Sequence, residues 1–129
     1  MKYNLFIGRW SPFHNGHKTI IDSFVKNGKP VLIAIRDSEE KYPAAVRAGM
    51  IKAVYIEEII KGLLKVIIIP DIETVVVGRN VGYSIVEVPE IVKAISATRI
   101  RLTGDKDDLP PEVKEIIESY ERALKKRNV

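Results

Sequence analysis

Residues 3–35, YNLFIGRWSPFHNGHKTIIDSFVKNGKPVLIAI, decide the fold. The apolar run Tyr3 to Ile7 ends at Gly8 and reads as a strand. Asn15 to Lys26 reads as a helix. Asn15 is a good capping residue, Ile20, Ile21, Phe24 and Val25 recur at helical spacing, and Asn27-Gly28 is a stop signal. Pro30 to Ile35 is a continuous apolar run, the mark of a strand buried on both faces. The order is therefore strand, loop, helix, strand.

The rest of the chain continues this alternation. Pro43 suits the start of a second helix running to about Lys61, with Val46, Met50, Val54 and Ile59 as its apolar stripe, and Gly62 stops it. Leu64 to Ile69 reads as a third strand, Thr74 to Val77 as a fourth ending at Gly78, and Tyr83 to Val88 as a short fifth. Ser96 can cap a short helix through Leu102, and the polar stretch Thr103 to Leu109 reads as a loop. Pro110 opens a last helix, with Val113, Ile116, Ile117, Tyr120 and Leu124 as its buried stripe. The expectation is an α/β fold, a single Rossmann-like doubly wound parallel sheet of about five strands. Ligands of such sheets bind beyond the carboxyl ends of the strands.

Composition sets outer limits. The 129 residues suit one domain, and a hydrophobic fraction of 46% is enough for a core. No apolar run approaches the roughly 20 residues of a membrane-spanning helix. The N-terminal apolar run is broken early by Gly8, Arg9 and Ser11, unlike a signal peptide. These features lead us to expect a cytoplasmic protein. The chain has no cysteine, which excludes thiolate chemistry and disulfides, and its two histidines cannot make a three-histidine metal site. Net charge is +4, and much of the excess sits at Arg122, Lys125, Lys126 and Arg127, where cations complement a helix C-terminus. With no aromatic-basic stripe, nucleic acid is not an expected partner.

The residues that carry chemistry are Gly8-Arg9-Trp10-Ser11-Pro12-Phe13-His14-Asn15-Gly16-His17. This loop joins the first strand to the first helix, where helix amides and the helix dipole attract anions. Gly8 allows a sharp turn, and Gly16 allows a phosphate close to the backbone. His14 and His17 are three apart and share one side of the helix, so two imidazoles can donate to phosphate oxygens. A structural histidine pair near a helix cap is the bland alternative. Both histidines of the chain falling here, beside Gly and Arg, favours function.

Residues 8–17 resemble the GRxxPxHxGH signature of the HxGH nucleotidyltransferase superfamily, in the variant of archaeal-type nicotinamide mononucleotide adenylyltransferases. Ile95-Ser96-Ala97-Thr98-Arg99-Ile100-Arg101 is similar to that superfamily's ISxTxIR motif, and Arg47-Ala48-Gly49-Met50-Ile51 to its RxxMI segment. Trp10-Ser11 stands where relatives often carry Phe-Gln. The resemblance implies AMP transfer from ATP to a small phosphorylated acceptor, with nicotinamide mononucleotide leading, and release of pyrophosphate. It implies His14, His17 and Arg101 as catalytic residues. Gly8, Arg9, Trp10, Gly16, Gly78, Arg79, Ser96, Thr98 and Arg101 would bind nucleotide, and Arg47 the acceptor. Mg2+ would accompany the nucleotide, with no dedicated metal ligands, and the chain would be a homo-oligomer. Asp37 and Glu39, after the second strand, are weaker candidates. The alternatives are a cytidylyltransferase using CTP to form a CDP-alcohol, and a nucleotide-binding regulatory module without turnover.

Overall fold

A computed structural model describes residues 1–78, 82–87 and 106–127. The elements run β1 (Asn4–Gly8), α1 (Asn15–Val25), β2 (Val31–Asp37), α2 (Ala44–Val54), α3 (Ile56–Ile60), β3 (Leu64–Pro70) and α4 (Pro111–Arg127). The strands form a parallel sheet in the order β1-β2-β3. Asn4 pairs with Val31 and Val31 with Leu64, so all three strands start level, and β2 and β3 continue past Gly8, where β1 ends, to Asp37 and Pro70.

Consecutive crossovers in one direction place their helices on one face of a sheet. That face carries Phe6, Ile33 and Val66 in register, flanked by Val31, Ile35 and Leu64. Ile21 from α1, Met50 and Ile51 from α2, and Val113 and Ile117 from α4 close over it as one core. Phe6 and Phe24 meet edge to face at 5.1 Å. Leu5, Ile7 and Ile67 lie on the other face and are exposed. The reversal of strand order that makes a sheet doubly wound does not occur among the described residues.

Two expected strands are not seen. Residues 74–78 and 82–87 carry no strand, and all are exposed; Val88 lies outside the described residues. Their β-branched content suits a pleated, half-buried surface, but here they have neither a paired edge nor a buried side. The second helix is also not continuous. It breaks at Tyr55, whose backbone (φ −114°, ψ 29°) ends α2 and begins α3. The Tyr55 ring is buried against Phe13, and its hydroxyl donates to Asp22 Oδ1 at 2.8 Å. Burial and the Asp22 hydrogen bond hold that hydroxyl's pKa far above the usual tyrosine value. Gly62, in the left-handed region at φ 77°, ends α3 as expected. On α4, Leu124 is exposed, so the buried stripe stops one turn earlier, at Tyr120, which packs on Tyr42.

The Tyr55–Asp22 bond ties the α2–α3 junction to α1. Tyr55→Phe is expected to destabilise the fold by about 1 kcal/mol, the usual net worth of one such bond. Urea denaturation checks this; an unchanged midpoint would show that the bond contributes nothing.

Candidate functional site

The site is built at the head of α1. His14, rather than Asn15, is the N-cap, with an extended backbone (φ −126°, ψ 175°). Its Nδ1 accepts from the amides of Gly16 at 3.1 Å and His17 at 3.3 Å. His17 Nδ1 in turn accepts from the His14 amide at 3.3 Å. This is a capping box with imidazoles in place of the usual hydroxyl and carboxylate. The rings stack with centroids 3.6 Å apart and planes 13° from parallel.

These bonds fix the chemistry of the pair. An imidazole whose Nδ1 accepts from an amide carries its proton on Nε2. Each ring therefore offers one donor, Nε2–H. Both stay neutral over an unusually wide range. Burial pulls His14 down to about 4, partly opposed by the negative charge of Asp108 and by a backbone hydrogen bond. Burial, reinforced by the neighbouring His14, pulls His17 down to about 3.

The backbone amides of the same turn are already committed. Asn15 donates to the Asp108 carbonyl at 2.8 Å, Gly16 and His17 to His14 Nδ1, and Lys18 to the His14 carbonyl at 3.0 Å. The expected anion cradle of open α1 amides is thus not present. The donors left to the pair are side-chain N–H groups. Gly16 is buried in the first turn and serves the cap. The connection before α4, read from sequence as a plain polar loop, packs against this turn, with Leu109 buried and Asp108 beside His14. The buried pair Leu109-Pro110 was its one sequence signal.

Trp10 packs against His17. It adopts φ 54°, the left-handed region, which costs a side-chain-bearing residue about 1–2 kcal/mol. Its indole Nε1–H donates to the Ala34 carbonyl at 3.1 Å, and its ring meets His17 edge-on at 4.7 Å. The ring is buried and lies across Gly8, where an added Cβ would come within 3.1 Å of Cε2. Gly8 is thus required for a close approach rather than for a turn. Ser11-Pro12 is a cis peptide, and Phe13 stacks on His17 at 5.7 Å.

The other expected site residues fall into three groups. Arg9 is exposed beside these rings' loop, 3.4 Å from Glu40 Oε1. Arg47, expected on the acceptor's phosphate, has no exposed surface and donates to four backbone carbonyls, so it does not present a free guanidinium to a ligand. Gly78 is exposed and ends no strand, while Asp37 and Glu39 are exposed at and after the end of β2. Arg79, Ser96, Thr98 and Arg101 lie outside the described residues. Among the described residues, no three His, Asp or Glu side chains converge as a metal site. No helix among them is long and apolar enough to cross a membrane.

No family model matches the chain. It is similar to the nicotinamide-nucleotide adenylyltransferase of Methanocorpusculum labreanum, at 38% identity over 39 residues. The matched stretch covers 30% of this chain and 23% of the length of that protein.

Proposed function

We propose that the chain is a nucleotidyltransferase, transferring AMP from ATP to a small phosphorylated acceptor, with nicotinamide mononucleotide as the leading acceptor. The observation that carries this reading is the stacked His14–His17 pair, with both Nδ1 atoms engaged and two neutral Nε2–H donors remaining. The short likeness to an adenylyltransferase supports the same reaction class.

In the reaction, an acceptor phosphate oxygen attacks the α-phosphorus of ATP. The bond from that phosphorus to the bridging oxygen breaks, and pyrophosphate leaves. Catalysis of this kind is positioning and charge stabilisation, and no covalent enzyme intermediate is needed. His14 and His17 donate from Nε2 to phosphate oxygens whose charge grows in the transition state. Arg9, exposed beside Glu40, adds a positive charge. Ser96, Thr98 and Arg101 are proposed to hold the β- and γ-phosphates, with Arg79 and Gly78 towards the base. Mg2+ belongs with the triphosphate, bound by phosphate oxygens and water. The described side chains offer it no cage. We further propose a cytoplasmic homo-oligomer.

A thermal-shift series with ATP, CTP and Mg2+ tests the nucleotide. ATP at about 100 times its Kd is expected to stabilise the fold by about 2.7 kcal/mol. Stabilisation by CTP but not ATP would replace this reading with the cytidylyltransferase one. Pyrophosphate release with nicotinamide mononucleotide, glycerol phosphate, phosphocholine and phosphopantetheine then identifies the acceptor. Binding without release in any combination would leave a regulatory module.

A further inference from the structure

Arg47 stands in the first turn of α2, buried, with its charge directed into backbone. A guanidinium has five N–H bonds in a rigid fork. Here Nε–H donates to Tyr42 O at 2.7 Å, Nη1 to Arg9 O at 2.6 Å and to Arg36 O at 2.9 Å, and Nη2 to Ser38 O at 3.0 Å. Four of the five are thus taken. The four carbonyls come from two pieces of chain, the loop after β1 and the stretch that leads from the end of β2 into α2. Arg9 follows β1, Arg36 lies near the end of β2, Ser38 follows it, and Tyr42 leads into α2.

The Arg9 carbonyl belongs to the peptide that enters Trp10. Trp10 is the residue at positive φ, tethered at its far end to Ala34, two residues before Arg36 on β2. Its ring then touches His17. Two tethers from one strand end therefore hold the residue on which the His17 ring rests. We infer that Arg47 is a positioning residue, which locks the Arg9–Trp10 peptide to the end of β2 and so sets the His17 ring, and that it does not bind the acceptor phosphate. This rests on the transfer reaction proposed above. A lysine would keep the charge but not the fork, because three donors on one tetrahedral nitrogen cannot reach four carbonyls spread around a plane.

The test compares Arg47→Lys and Arg47→Ala with the unaltered chain by steady-state kinetics and by imidazole NMR. The chain's two histidines give a simple spectrum. In Arg47→Lys, kcat is expected to fall by about a hundredfold, the scale of an ångström's misplacement, with the acceptor KM within about threefold of normal. The His17 ring resonances are expected to move, and added guanidinium ion should restore part of the rate of Arg47→Ala. A tenfold or greater rise in acceptor KM with kcat kept, or unmoved His17 resonances, would overturn the inference. If Arg47→Ala does not fold, Arg47→Lys decides it alone. If the unaltered chain turns over no nucleotide, the transfer reading fails, and the His17 resonances still decide the role of Arg47.

Discussion

His17→Gln is expected to lower the rate of nucleotidyl transfer by about a hundredfold or more while leaving the fold nearly as stable. One donor lost from a transition state of growing charge costs about 3 kcal/mol. The choice of glutamine follows from the second job of this side chain. His17 Nδ1 accepts from the His14 amide, and glutamine is a natural acceptor at this third position of a helix. His17→Ala removes donor and cap together. It should lose the same activity and, in addition, about 0.5–2 kcal/mol of stability. Turnover and urea midpoints measured on both variants separate the two jobs. Near-normal turnover in His17→Gln would remove His17 from the reaction.

The second large effect is acid destabilisation. Unfolded, both histidines titrate near 6.5; folded, burial holds them down to about 4 and about 3. Between these values the unfolded chain binds more protons than the folded one, so stability falls as pH falls. The contribution is complete above about pH 6.5 and is lost progressively down through the folded values. At pH 5 the loss is about 2 kcal/mol for each ring, up to about 4 kcal/mol for the pair. The negative charge of Asp108 favours a charged His14 and only partly offsets its burial. Urea denaturation at pH 7 and pH 5 reads the effect directly, and His17→Gln should remove about half of it. Equal midpoints at the two pH values, or imidazole titrations near 6.5 in the folded protein, would refute it.

Much of residues 1–70 is legible in the sequence, because the signals there are local. Continuous apolar runs mark β2 and β3, helical spacing marks α1, and Gly62 marks the end of α3. What escapes the reading depends on groups the sequence does not display. Capping preferences favour Asn15, yet His14 takes the cap, since an imidazole Nδ1 accepts amides as a carboxamide oxygen does. The break at Tyr55 has no glycine or proline to announce it, and accompanies a buried ring bonded to Asp22. Arg47 reads as an acceptor-binding arginine in a familiar motif. Its actual partners are main-chain carbonyls, which every sequence has and none reveals. The valines at 75–77 read as a strand because β-branched content says what would pair well, not whether an edge is there to pair with.

The imidazole capping box has a consequence for how this chain can change by descent. At position 14 one side chain both starts α1 and, in the proposed reaction, meets phosphate. A lineage that gave up the reaction would be released from only one of those demands. Its substitutions at 14 would still be drawn from the short polar residues that cap helices, Ser, Asp, Asn and Thr, rather than drifting at random. A serine or aspartate at that place in a related chain would therefore mark lost chemistry on an intact scaffold, whereas an alanine would mark a chain in which the scaffold was no longer being maintained.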